Sequence, residues 1–217
     1  MVGRYAEQKV RLTMNENTGK LLVVDLDGTF VRENTLRMMI HYGIRQLRRR
    51  RSYGKLTAVY ALLGLRALRL VRHTTLKFGV LGRLDFTDGR LSAEFTNRVN
   101  SCINRTVRNM AADWQRAGGA VVLATAAADV YVPWIWTGER IATPFFNNPR
   151  REETRGERKA EAVSAYAREK NLEVACVVTD HVDDLPLMLA APEVVLVQPD
   201  AKTRKAVEAA GVTFRTI

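Results

Sequence analysis

The chain is 217 residues long with a formal net charge of +11, enough for a sizeable buried core built as one domain with a large insertion or as two modest domains. Its two cysteines, Cys102 and Cys176, match no metal or redox spacing, which excludes a disulfide-stapled scaffold and points to buried free thiols. Between Val31 and Gln115, Lys and Arg number 17 against 5 acidic residues, so the positive excess sits in one internal segment, as a basic inserted module would show.

The opening, Met1 to Lys20, is polar and mixed in charge, with no apolar block of the signal-peptide kind. The longest apolar stretch, Leu56 to Leu65, falls short of the ~20 residues a membrane-spanning helix needs. The expected location is cytoplasmic, with membrane association as the variant that the basic segment suggests. Lys20 to Asp25 reads as a short apolar strand running into Asp25-Leu26-Asp27-Gly28-Thr29, where Gly28 suits a turn. The next 85 or so residues exceed any ordinary crossover and are rich in helix formers. Helices are predicted near Thr35–Arg50, Lys55–Arg72 and Ser92–Ala117, with a turn around Thr87–Gly89 and a break near Asn104. Only the last of these is expected to return to the core. Tyr60, Phe78, Phe86 and Phe95 are read as filling the interior of this segment, and the three tryptophans as packing residues.

Ala120–Leu123 and Glu173–Val178 are two further strands, running into Ala124-Thr125 and Thr179-Asp180. Helical patterns cover Asp129–Trp136 and Glu157–Lys170, and Glu193–Val197 and Val212–Phe214 read as additional strands. Strands alternating with helices predict an α/β fold with a parallel sheet. In such sheets ligands bind where the carboxyl ends of the strands converge.

Asp25 and Asp27 are one residue apart at such an end. A carboxylate nucleophile splits phosphoryl transfer into two easier displacements, and a second carboxyl group can protonate the leaving oxygen and later deprotonate water. Two carboxylates repel an anionic phosphate, so the pair calls for a divalent cation and a fixed positive charge. Asp180 is a hard oxygen ligand suited to Mg²⁺, and Asp184 falls where it could orient or supplement that shell. Lys159 is the candidate cation, with Arg158, Arg155 and Arg151 as neighbours able to replace it. Thr125 offers a hydroxyl and a backbone N–H to a phosphate oxygen, and Asp183 is the alternative to Asp184.

Asp25-Leu26-Asp27-Gly28-Thr29, Thr125 after an apolar strand, Gly156-Glu157-Arg158-Lys159, and Asp180 with Asp184-Leu185-Pro186 together resemble the four motifs of haloacid dehalogenase-like hydrolases. The resemblance spans Lys20 to Val197. It implies a Rossmann-like parallel sheet core (1–30 and 118–217) with an inserted, mostly helical cap (31–117) of the phosphoserine-phosphatase-like subclass, which Tyr131-Val132-Pro133 also suggests. It further implies Asp25 as phosphorylated nucleophile and metal ligand, and Asp27 as acid/base whose carbonyl ligates Mg²⁺. Asp180 would be the third protein ligand and Asp184 a support, with Thr125, Ala126 and Gly28 as substrate contacts.

Asn34 stands where phosphoserine phosphatases carry a Glu that grips the substrate amine, with Glu33 one position away, which disfavours phosphoserine. The expected substrate is a small phosphorylated metabolite or a lipid phosphate. Dehalogenation is disfavoured, because halide departs without a proton and would leave Asp27 no task. The basic, leucine-rich segment (Arg48–Arg51, Arg66, Arg69, Arg72) suggests peripheral contact with an anionic membrane rather than nucleic acid. The competing reading is a non-catalytic basic module binding membrane or nucleic acid.

Overall fold

A computed structural model describes residues 17–217; the expectation for Met1–Lys20 falls, as far as residue 16, outside the described residues. Six parallel strands form one sheet in the order β3-β2-β1-β4-β5-β6. They are β1 (Lys20–Val24), β2 (Ala120–Ala128), β3 (Arg140–Thr143), β4 (Glu173–Thr179), β5 (Glu193–Leu196) and β6 (Arg215–Thr216). Five helices lie between β1 and β2: α1 (Thr35–Arg49), α2 (Tyr53–Ala67), α3 (His73–Leu81), α4 (Gly89–Cys102) and α5 (Arg105–Arg116). α6 (Glu157–Glu169), α7 (Leu185–Met188) and α8 (Ala201–Ala209) follow.

β1 reads as an unbroken apolar run because both faces of the sheet are covered. Leu22 and Val24 join a core with residues of α1, α4 and α5, whereas Leu21 and Val23 face a second core with residues of α6, α7 and α8, as the alternation of a strand requires. The chain builds outward from β1 through β2 to β3 and then crosses to β4 on β1's other side. This reversal opens a crevice at the carboxyl ends of β1 and its neighbours. α5 packs back on β1 and β2, capped by Asn104, whose side chain accepts from Thr106 N–H; it is not alone in reaching that core, since α1 and α4 contribute to it as well. A small satellite core of Leu47, Val59, Leu76 and Val80 ties α1, α2 and α3 together. Cys102 and Cys176 are buried free thiols, and among the described residues no helix is long and apolar enough to cross a membrane.

Several expectations are corrected. The helix read over Lys55–Arg72 ends at Ala67, and a separate helix, α3, begins at His73. Neither Gly nor Pro marks the break, because Arg69 itself takes the left-handed conformation (φ 60°). Leu70 N–H bonds Leu65 O and Arg69 N–H bonds Arg66 O, the paired closure usually built on glycine. The helical pattern of Asp129–Trp136 yields only one 3₁₀ turn, Val132–Trp134. Asp129 is tied sideways to the neighbouring chain, its N–H to Thr143 O and its Oδ1 to Phe145 N–H. β2 therefore runs on to Ala128, and β3 pairs with it. The last strand lies at Arg215–Thr216 rather than Val212–Phe214. Tyr60 does not fill an interior; it is 43 % exposed.

Arg51 closes α1 in the same left-handed way, at φ 52°. A side chain with a Cβ is strained there. Replacing Arg51 or Arg69 by Gly is expected to raise stability by about 0.5–1 kcal/mol each, read as higher midpoints in urea and thermal unfolding. Unchanged or lower midpoints would contradict the strain.

Candidate active site

The carboxyl tips of β1, β2 and β4 surround a cavity of about 300 Å³ lined by Asp25, Asp27, Thr125, Ala126, Lys159, Asp180 and Asp184 among others. Seven of the eight positions singled out in the sequence therefore meet. Gly28, the eighth, lies against Asp180 outside the lining.

Asp25 leaves β1 with its N–H still bonded to Val178 O in β4, at 2.9 Å. The chain then folds on itself: Phe30 N–H bonds Asp25 O, Val31 N–H bonds Leu26 O, and Gly28 N–H bonds Val31 O. Gly28 has φ 83°, and a Cβ there would lie 2.1 Å from Asp180 Oδ2. Only glycine allows the Asp180 carboxylate to press against this loop. Thr29 Oγ1 secures the contact by donating to Asp180 Oδ1 at 3.1 Å.

Lys159 lies in the first turn of α6 and is only 2 % exposed. Its Nζ donates to Asp25 Oδ1 at 2.6 Å and to Asp184 Oδ2 at 2.7 Å, and Thr179 Oγ1 donates to the same Asp184 oxygen at 2.7 Å. Burial disfavours the ammonium, but Asp184 and Asp25 outweigh it and hold Lys159 firmly protonated. Burial also pushes Asp25 up to about 7, against the pull of Lys159. Of the alternatives, Asp183 and Arg155 also line the cavity but pair with each other, Asp183 with His181 as well, and Arg158 reaches out to Glu152; among these cations it is Lys159 that bonds Asp25.

Asp27 points at the start of α1, where Thr35 N–H donates to its Oδ1 at 2.6 Å, a position where a helix favours an anion. Burial nevertheless raises its pKa. Thr125 is buried, with its hydroxyl accepting from Ala127 N–H at 3.0 Å. Burial raises Asp180 as well.

Sequence reasoning missed the opposite wall. Lys77 of α3, 2 % exposed, donates to Ala126 O at 2.5 Å and to Glu153 Oε1 at 2.8 Å, and His73 Nδ1 lies 3.7 Å from the same carboxylate oxygen. These contacts outweigh the burial that would raise Glu153, and its pKa is driven down to about 2. The available signal was a single lysine inside the apolar run Leu76-Lys77-Phe78-Gly79-Val80-Leu81, since a lysine in such a run is buried only with a partner.

Asp25, Asp27 and Asp180 crowd each other's charge, each of the first two being raised by Asp180. A set of hard carboxylate oxygens under like-charge crowding suits an oxygen-loving divalent cation such as Mg²⁺. Among the described residues no three His, Cys, Asp or Glu side chains gather closely enough to hold a metal alone. A cation here must complete its shell with backbone carbonyl or water, as Mg²⁺ commonly does.

This geometry, three strand-end motifs and a helix start converging on an aspartate held by a buried lysine, agrees with the comparison against known families. The chain belongs to the haloacid dehalogenase-like hydrolases, whose family model matches residues 22–189. No curated protein matches it in sequence. Among solved structures, a protein of unknown function from Bordetella pertussis Tohama I superposes with a TM-score of 0.71 at 17% identity, covering 93% of this chain and 99% of that one. A HAD family hydrolase from Salmonella enterica serovar Typhi gives 0.62 at 12% identity, over 93% of this chain and 67% of that chain. A probable phosphoserine phosphatase from Vibrio cholerae gives 0.60 at 14% identity, over 91% and 61% respectively. These likenesses show a shared fold.

Lys159→Met is expected to destabilise the protein by roughly 3–5 kcal/mol, because it strands Asp184 as a buried charge; Lys159→Met with Asp184→Leu should recover much of that loss in urea unfolding. A loss in the double variant equal to the sum of the single ones would contradict the pairing. Because Glu153 is held below its ordinary value of 4.5, its contribution is complete above that pH and lost as pH falls toward about 2. Glu153→Gln should therefore flatten the acid limb of the stability profile, and an unaltered limb would remove Glu153 as its source.

Proposed function

We propose that the chain is a Mg²⁺-dependent phosphomonoester hydrolase that works through an aspartyl-phosphate on Asp25. The observation carrying this reading is the state of that carboxylate. Lys159 holds Oδ1 at 2.6 Å, whereas among the described residues Oδ2 accepts no hydrogen bond, and Asp25 lines the cavity. Oδ2 would attack phosphorus, and Lys159 pulls Asp25 toward its ionised form against the effect of burial and offers charge to the phosphoryl oxygens. Asp27, whose raised pKa suits a proton carrier, would protonate the departing alkoxide. It would then take a proton from the water that hydrolyses the phosphoaspartate. Thr125 and Ala126 would receive phosphoryl oxygens, and Asp184, bonded to Lys159 and Thr179, would keep the ammonium in place.

The Asp25 and Asp180 carboxylates with the Asp27 carbonyl would hold Mg²⁺, which when bound neutralises charge on the phosphoryl group. Residues 31–117 are read as a helical cap over a core of 1–30 and 118–217, with α5 belonging to the core's packing. The substrate is a small phosphorylated metabolite or a lipid phosphate. The family and phosphoserine phosphatases among the solved neighbours, one captured as a phospho-aspartyl intermediate analogue (TM-score 0.54, 10% identity, 88% of this chain and 91% of that one), support a phosphorylated substrate. Phosphoserine itself is disfavoured. Asn34 spends its side-chain oxygen on Arg37 N–H, and Glu33 pairs with Arg98 and Cys102, so neither is available to grip an ammonium.

Purified protein should release phosphate from a panel of phosphomonoesters in Mg²⁺ and lose that activity in chelator. Asp25→Asn should abolish turnover, and Asp27→Asn should lower kcat by about 10²–10⁴. Full activity of Asp25→Asn would exclude it as the nucleophile.

A further inference from the structure

α2 is apolar on both sides, although only one is covered. Its inner side brings Val59, with Leu56, Leu62 and Leu63, to the satellite core. Its outer side carries Tyr53, Tyr60, Ala61, Leu65 and Leu68, which fall on one face at helical spacing and are all exposed. From Gly64 to Leu70 every residue is exposed, with Leu68 at 70 % and Leu70 at 68 %. A helix at the surface of a globular protein ordinarily turns charged and polar residues outward, so an outer side whose large side chains are apolar, broken only by Thr57, marks a contact surface.

The charge around the stripe selects what it contacts. Between Glu33 and Asp85 the chain holds twelve Lys and Arg and no acidic residue. Arg49 and Arg50 are neutralised by Glu94, Asp85 and Asp88. Among the described residues Arg48, Arg51 and Lys55 at the start of α2, and Arg66, Arg69 and Arg72 beyond its end, have no carboxylate partner. Arg69 holds its place between Leu68 and Leu70 in a backbone conformation that favours glycine.

We propose that the outer face of α2 and the turn Gly64–Arg72 dock on an anionic bilayer surface, with the leucines and tyrosines entering the head-group boundary and the free arginines meeting lipid phosphates. An anionic lipid surface rewards both features at once. A second copy of this face would bring like charges together, and a nucleic acid would gain nothing from burying Leu65, Leu68 and Leu70. His73, three residues past Leu70, lines the cavity, so the docked turn is continuous in the chain with the wall of the site. This docking stands independently of the hydrolase chemistry.

Full-length protein should float with phosphatidylcholine vesicles containing phosphatidylglycerol and not with phosphatidylcholine alone, and the bound fraction should fall as NaCl rises. Leu68→Asp with Leu70→Asp, and separately Arg66→Gln with Arg69→Gly, should each weaken binding by at least about tenfold. The leucine pair should keep the wild-type thermal midpoint within about a degree and the arginine pair should melt at or above it, and both variants should keep full turnover of a soluble phosphomonoester. The proposal is overturned by equal binding to neutral vesicles, by wild-type binding of either variant, by tighter binding to duplex DNA than to anionic vesicles, or by dimerisation through this face without vesicle binding.

Discussion

A protonated lysine buried between two carboxylates is the constraint around which this molecule is arranged. Lys159 is nearly sealed from water, and its charge is tolerated only because Asp25 and Asp184 lie within hydrogen-bond reach. Each of the three comes from a different place: the tip of β1, the first turn of α6 and the turn after β4. Removing any one leaves buried charge without an answer. The order of the sheet, with β1 directly beside β4, is what makes the meeting feasible. Gly28 completes it by letting Asp180 press against the loop that carries the first two aspartates.

A second, smaller electrostatic tie joins the helical segment to the sheet. Lys77 on α3 reaches the Ala126 carbonyl at the end of β2 and Glu153 in the stretch before α6. The cavity thus has one wall from the strand tips and one from a helix midway along the chain between β1 and β2. α3 also shares the satellite core with α2. The buried wall of the site and the exposed greasy stripe are two sides of one small packed unit. Position within that unit decides whether a cation is locked in an ion pair, as Lys77 is, or left free at the surface, as Arg69 is.

The places where sequence reasoning failed have two causes, an unadvertised backbone conformation and bonds made far along the chain. The break after Ala67 carries no glycine or proline, because an arginine adopts the conformation that would normally advertise it. β3 is four residues long, and what keeps its neighbourhood from forming a helix is Asp129, whose bonds run to a distant part of the chain. Lys77 looked like one more member of a basic segment, since its partners, Ala126 and Glu153, lie far along the chain. Non-local bonds leave no local pattern.

The sequence by itself determined the alternation of apolar strands and helices, the polar residues at strand ends, and the concentration of positive charge between β1 and β2, because these rest on local periodicity and composition. It also named the carboxylates and the lysine, since a chemistry requiring them in that order restricts the spacing. Only the tertiary structure decided that Lys159 rather than an adjacent arginine bonds Asp25, that Asp184 rather than Asp183 bonds Lys159, and that Leu65, Leu68 and Leu70 are exposed while Leu56, Leu62 and Leu63 are covered. Those choices depend on which side of each helix is covered, and covering is a property of the assembled layers.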